Sequence, residues 1–265
     1  MKGCGAMANS GSQAGYLYEP SAREYKRLGL LGDMYDRLTF SPFVKASHRF
    51  CDPFFVDVGC GAGTIRTRAT AHGFKYLGVD SSPPAVLPPS EGAAIVNADC
   101  LTLPIADESV QFIHARLLIS HVPGADNLLN ELWRALAPGG LLVVAELEDS
   151  PVGNFLPAFD LYRTRMKSIA RLNSTYDKEV CKRMPSLLSE LRPAAKHVES
   201  STFVNVSTNV NDAIRMVHRL QIADRYEELG SFGGRPLAEV AMAELADPRP
   251  LRSSSMVVFS ARKAD

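Results

Sequence analysis

The sequence predicts an α/β fold, a doubly wound sheet with helices on both of its faces. Three observations carry that prediction. Short apolar runs alternate with helical stretches between residues 54 and 147, the pattern of βαβ units and a parallel sheet. Runs such as Leu141–Ala145 are apolar at every position, as strands buried on both faces are. Between the first apolar run and the first helix of this region stand Gly59, Gly61 and Gly63, which permit a tight strand-to-helix turn.

The elements follow in order. Residues 16–50 read as an amphipathic N-terminal helical lid, with Ser21 and Glu24 as a capping box and Ser41-Pro42 as the start of a second helix. Phe54–Val58 is the first strand, Thr64–His72 a helix closed by Gly73, and Tyr76–Asp80 the second strand. Pro83, Pro84, Pro88 and Pro89 forbid a regular helix in the next connection. Ala93–Ala98 and Val110–Ala115 are the third and fourth strands. Ala125–Leu136 is a helix stopped by Pro138-Gly139-Gly140, and Leu141–Leu147 is the fifth strand.

Residues 151–195 read as a helical cap insertion. Phe155, Phe159, Tyr162, Met166 and Ile169 share one helical face, and Val180, Met184, Leu187, Leu188 and Leu191 share another. Val198–Ser207 alternates like a strand. Residues 211–247 hold two helices, Asp212–Leu229 and Leu237–Ala246, joined at Gly230, Gly233 and Gly234, before a last strand at Met256–Arg262.

Composition narrows the function. The 265 residues carry 29 Lys+Arg and 29 Asp+Glu, a net charge of zero without a basic stripe, which weighs against nucleic acid as a partner. No apolar run reaches the roughly 18–20 residues of a membrane span, so no membrane partner is expected. Residues 1–15 read as a flexible tail without a secretory segment, and residues 16–265 as one domain, monomer or homodimer. Five scattered cysteines give neither a disulfide framework nor a metal site, which suits a reduced, cytoplasmic compartment.

The chemistry gathers at the strand ends. Asp57-x-Gly59-Cys60-Gly61-x-Gly63 lets a ligand approach the main chain at the N-terminus of the next helix. Asp80, with Ser81 beside it, ends the second strand about 20 residues on, where an acid accepts from ribose hydroxyls. Asp99 stands where an adenine amino group would be met, and the Cys100 amide where a ring nitrogen would be. Singly, these residues also suit a tight turn, a helix cap and an Asx turn; their order and spacing make the signal.

The stretches Val56–Gly63 (VDVGCGAG), Leu77–Asp80 (LGVD), Asn97–Ile105 (NADCLTLPI) and Ala135–Gly140 (ALAPGG) together resemble the class I S-adenosylmethionine-dependent methyltransferases. The resemblance is close over residues 35–150. It implies a Rossmann-like doubly wound seven-stranded sheet whose last strand runs antiparallel between two neighbours. It also implies S-adenosyl-L-methionine as cofactor and S-adenosyl-L-homocysteine as product. Asp57 and the Gly59–Gly63 loop would lie under the methionine part, Asp80 at the ribose, Asp99 at the adenine, and Arg116 and Leu117 along the site after the fourth strand. Arg116–Pro123 and the Leu136–Gly140 stretch resemble the small-molecule branch found in secondary metabolism and natural product biosynthesis. The short Cys51-Asp52-Pro53 link and the Pro-rich loop after Asp80 depart from the family pattern.

Other branches lack their marks here. There is no Asn/Asp-Pro-Pro-aromatic turn after the fourth strand and no double-glutamate loop. No Asp-Asn pair follows Glu146, Glu148 and Asp149 to complete a metal cluster. His121 is the first candidate for a general base and Glu146 the second; packing or hydrogen bonding inside the fold is the alternative for both. The acceptor pocket is expected under Tyr16, Tyr18 and Tyr25, then Phe155, Phe159, Tyr162 and Met166, then Met216, His218 and Tyr226. So many aromatics predict a flat small-molecule acceptor, an aromatic or heterocyclic natural product methylated on O, N or C. A non-catalytic scaffold that binds the same cofactor is the second reading. An NAD-dependent oxidoreductase is the third, and it lacks the Gly-x-Gly-x-x-Gly spacing.

Overall fold

The computed structural model describes residues 21–83, 93–148, 156–173, 177, 179–203, 208–249, 251 and 255–265. The expected tail at 1–15, Tyr16, Tyr18, Phe155 and most of the proline cluster lie outside them. A 25-residue helix α1 (Ala22–Ala46) leads into β1 (Phe54–Val58), α2 (Arg66–Ala71), β2 (Lys75–Asp80) and β3 (Ala93–Asn97). β4 (Val110–Arg116), α3 (Ala125–Ala135) and β5 (Leu136–Glu148) follow. Then come α4 (Pro157–Asn173), α5 (Val180–Glu190), β6 (Ala195–Phe203) and α6 (Thr208–Asp224). A small hairpin of β7 (Ser231–Phe232) and β8 (Arg235–Pro236), α7 (Leu237–Glu244) and β9 (Ser255–Lys263) complete the chain.

The main sheet has seven strands in the order β3-β2-β1-β4-β5-β9-β6. β1 through β5 pair in parallel, and β9 runs antiparallel between β5 and β6. The fold class is therefore the expected one. Strand order reverses between β1 and β4, which opens a crevice at their carboxyl ends, where open α/β sheets bind ligands.

Three apolar clusters hold the layers. On one face α3 and α5 bring Leu128, Leu132, Trp133, Met184 and Leu188 against Val56, Ile113 and Leu142. On the other, α1 brings Leu31, Tyr35, Phe40 and Phe43 against Phe55, Phe112, Val143 and Met256. The third cluster joins α4, α6 and α7 through Phe159, Tyr162, Ile214, Ile222, Leu237 and Ala241, and Met34 of α1 packs against it. The helix α1 thus lies between the sheet and the cap. The last strand is pinned by Lys263, whose Nζ donates to the carbonyls of Trp133 at 2.9 Å and Leu136 at 2.8 Å where α3 ends.

Several boundaries differ from expectation. Pro42 does not start a second helix; α1 runs through it, because Phe40 and Phe43 on either side are buried in the aromatic cluster and hold the chain's path. The fifth strand begins at Leu136 rather than Leu141, since Val110 pairs with Leu136 before the register shifts. The sixth strand begins at Ala195, three residues early, because Ala195 and Lys196 already pair with β9. Helix α6 ends at Asp224, and Glu227–Leu229 forms a separate 3-10 turn.

Candidate active site

The glycine loop folds back over the end of β2. The amides of Gly59 and Cys60 donate to the Val79 carbonyl at 2.7 and 3.1 Å. Gly59, Gly61 and Gly63 all have positive φ, +69°, +49° and +61°, which an L side chain adopts at a cost. A Cβ on Gly59 would lie 2.8 Å from Leu118 Cδ1, and one on Gly61 3.0 Å from Leu28 Cδ1. Leu118, from the turn after β4, and Leu28, from α1, therefore cover the loop.

Asp80 fixes the loop's shape. Its Oδ2 accepts from the Gly61 amide and its Oδ1 from the Ser82 amide, both at 2.8 Å. Ser81, between them, is exposed. Asp99 is exposed; its Oδ1 accepts from the Leu101 amide at 2.9 Å, an Asx turn. Burial, then the neighbouring Asp99, pushes the Cys100 thiol up to about 11. The Cys60 thiol is likewise pushed up by burial.

Asp57 faces the interior. Its Oδ2 accepts from Tyr76 Oη at 2.9 Å, and its Oδ1 lies 2.8 Å from His114 Nδ1. His114 Nε2 meets Thr39 Oγ1 of α1 at 3.1 Å. This acid–imidazole–hydroxyl chain is sealed, with Thr39 and His114 at 0% and 1% exposure, so it joins β1, β4 and α1 and has no route to a substrate.

A second polar link reaches α1. Arg116 Nη2 donates to Thr64 Oγ1 at 3.0 Å and pairs with Asp36 Oδ1 at 3.3 Å. Burial raises the Asp36 carboxyl against the pull of Arg116. Gly32 lets the helix come this close, since a Cβ there would lie 2.6 Å from Thr64 Cβ and 2.9 Å from Asp36 Oδ2. Leu28, Gly32, Asp36 and Thr39 fall on one face of α1. They meet Gly61, Thr64, Arg116 and His114 in turn. The sequence reading passed over this face, although a glycine, an acid and a threonine four and three residues apart on an apolar helix were visible.

Leu117 follows with φ +54°, its amide donating to Ala145 O at 2.8 Å. His121 ends the next 3-10 turn; burial, then the charge of Arg27, pushes its imidazole down to about 4. Arg27 itself is clasped by Glu24 through Nε and Nη2, both at 2.6 Å. Glu146, near the end of β5, is fully buried. Its Oε1 accepts from the Ser120 amide at 3.2 Å and its Oε2 from the Ser120 hydroxyl at 2.9 Å.

Of the described residues named for the acceptor roof, Phe159, Tyr162, Met166 and His218 come together, packed against one another. Phe159 and Tyr162 are 1% exposed within the cap's own core. Phe159 sits edge-on to His218, and Tyr162 Oη donates to Gln221 Oε1 at 3.1 Å. Met166 packs in the same cluster. Tyr25 is half-buried on α1. Met216 and Tyr226 are exposed, and Tyr226 Oη donates to Glu239 at 2.8 Å.

The adenosine- and amino-acid-bearing cofactor of such a fold suits the residues present. Arg116 Nη1 is a buried cationic donor with no hydrogen-bond partner among the described residues. It stands one residue past the glycine loop through Thr64, where an anionic group would satisfy it. Asp80 and Asp99 keep lone pairs for hydroxyl or amino donors.

Fold and loop together define a Rossmann-like protein with a crevice at the β1/β4 switch point. Residues 56–144 match the model of the methyltransferase domain. An uncharacterized methyltransferase of Mycobacterium leprae is 34% identical over 97 residues, 34% of this chain and 35% of that one. Sterol 4-C-methyltransferase strm-1 of Caenorhabditis elegans is 30% identical over 101 residues, 35% of this chain and 30% of that one. The match thus spans about a third of these curated relatives' length. Among solved structures, the Haemonchus contortus phosphoethanolamine N-methyltransferase 2 complex with S-adenosylhomocysteine superposes with TM-score 0.52 at 16% identity, covering 93% of this chain and 61% of that one, a likeness of fold. Over residues 56–144 the chain is similar to S-adenosylmethionine-dependent methyltransferases, a class whose cofactor is S-adenosylmethionine. No helix among the described residues is long and apolar enough to cross a membrane.

Proposed function

We propose that the protein, with residues 16–265 acting as one domain, transfers a methyl group from S-adenosylmethionine to O, N or C of a small natural product. The observation that carries this reading is the glycine loop held by Asp80 beside the buried Arg116 donor. When bound, the cofactor supplies the methyl carbon and its own leaving group. The chain's part is to hold the acceptor in line and exclude water. Arg116 holds the amino-acid end against the glycine loop, Asp80 the ribose and Asp99 the adenine. Leu28 and Leu118 close over the loop and keep water out.

His121 is the proposed proton acceptor. With its imidazole held down to about 4, it is neutral at pH 7 and a weak base, suited to an acceptor whose own proton is acidic. A small acceptor remains the best reading, although Phe159 and Tyr162 serve the cap's packing.

The test is incubation with isotope-labelled S-adenosylmethionine and a panel of phenols, indoles, amines and quinones, read by mass spectrometry. A labelled product supports transfer, and its fragmentation separates O-, N- and C-methylation. Binding of S-adenosylhomocysteine without any product would favour a scaffold of the same fold; no binding would sink the reading. Arg116→Met is expected to weaken S-adenosylhomocysteine binding by about 10–100-fold in calorimetry, the ~1.5–3 kcal/mol of a hydrogen bond to a charged group. Unchanged affinity would remove Arg116 from the cofactor site.

A further inference from the structure

Glu146 uses both carboxylate oxygens on a single residue, Ser120. Neutral donors are a modest return for burying a carboxylate, and burial pushes the acid up to about 7. The Ser120 hydroxyl and amide pull it back, then the amides of Ile119 and Leu118. The titratable groups around it offer no further help. Cys181 of α5 is pushed up by burial, then by Glu146, by Glu148 further along β5 and by Asp177 ahead of α5. His121, one residue past Ser120, is held neutral.

What the carboxylate holds is a turn that reaches both halves of the site. Leu118 on this turn covers Gly59 of the cofactor loop. His121, whose amide donates to Leu118 O at 2.9 Å, closes it. Ser120 also accepts through its carbonyl from the Asp177 amide at 2.7 Å, which ties in the segment before α5. Glu146 of β5 therefore holds the turn through two bonds at Ser120, and Asp177 adds a third there.

We propose that Glu146 is a positioning residue, whose carboxylate clamps the 117–121 turn so that Leu118 seats the cofactor loop and His121 meets the acceptor. The acceptor half of this statement rests on the methyl-transfer reading above. The clamp itself is read by binding and exchange.

The experiment compares wild type, Glu146→Gln, Glu146→Ala and Ser120→Ala. Calorimetry gives S-adenosylhomocysteine affinity at pH 6 and pH 8, and hydrogen exchange gives amide protection at 117–121. Glu146→Ala is expected to weaken affinity about 5–20-fold and to speed exchange across the turn at least about tenfold, the size of one or two lost hydrogen bonds. Glu146→Gln keeps a carbonyl acceptor and should restore both to within about threefold. Ser120→Ala keeps the fold intact and should loosen the turn by part of the Glu146→Ala effect. The proposal is overturned if Ser120→Ala and Glu146→Ala leave affinity and exchange unchanged. It is equally overturned if Gln is as deficient as Ala at both pH values. If no acceptor is ever methylated but the exchange pattern holds, the transfer reading fails and the clamp stands.

Discussion

Gly32→Ala is expected to destabilise the protein and weaken its cofactor site, while Gly29→Ala, three residues earlier on the same helix, stabilises it. In an open helix either change gains about 1 kcal/mol, because glycine is the costlier residue there. Gly29 has nothing within 4 Å of the added methyl, so the gain is realised. At Gly32 the methyl meets Thr64 Cβ at 2.6 Å, which is not the far end of a flexible chain. The helix must then move off the loop, at about 1–3 kcal/mol for overpacking. That movement also strains the Asp36–Arg116 pair and Leu28 over Gly61. Melting should rise by about 2–4 °C for Gly29→Ala. For Gly32→Ala melting should fall, and S-adenosylhomocysteine affinity should fall about tenfold or more, the equivalent of ~1.4 kcal/mol. If both substitutions raise the melting temperature and leave affinity alone, the close approach of α1 to the glycine loop does not shape the site.

Asp80→Ala should be the most damaging single change to cofactor binding. Two backbone amides, of Gly61 and Ser82, lose their acceptor at once. An unsatisfied donor costs about 1–3 kcal/mol where water cannot replace its partner. The ribose hydroxyls would lose their acceptor as well. The expected affinity loss is about 100-fold or greater, corresponding to ~2.8 kcal/mol. Asp80→Asn keeps one acceptor oxygen and should fall between wild type and Ala. Calorimetry with S-adenosylhomocysteine reads all three. Wild-type affinity in Asp80→Ala would mean that the loop keeps its shape without the carboxylate and that the ribose lies elsewhere.

Glu146 also has a signature in stability. Its folded value of about 7 lies above its ordinary 4.5, so between these the folded state binds more protons than the unfolded. Stability from this group is therefore present at pH 5 and is lost as pH rises through about 7. Glu146→Gln cannot ionise and should gain melting temperature over wild type at pH 8 but not at pH 5. A difference that is the same at both pH values would contradict the raised acid.

The strands, the glycine loop and Asp80 were legible because each rests on a local rule. Val56–Val58 is buried on both faces and is apolar except at Asp57. The loop needs positive φ at three places and has glycine at each. What the sequence leaves open is where a distant partner decides. Ser41-Pro42 has the local chemistry of a helix start, yet the aromatic cluster carries α1 through it. Phe159 and Tyr162 make an apolar stripe, and sequence gives no means of telling a ligand wall from a core that meets His218 some 56 residues later.

The sequence by itself determined the fold class: the strand-helix alternation, the glycine loop, the acid after β2 and the order in which they come. These follow from contacts within a turn or a strand, where residue type alone fixes the backbone. Only the tertiary structure decided what the polar residues do. Asp57 turns inward to His114 and Tyr76, Glu146 to Ser120, and Arg116 to Thr64 and Asp36. Their partners lie 19 to 80 residues away, and a buried polar group takes whichever partner the packed layers bring within hydrogen-bond reach.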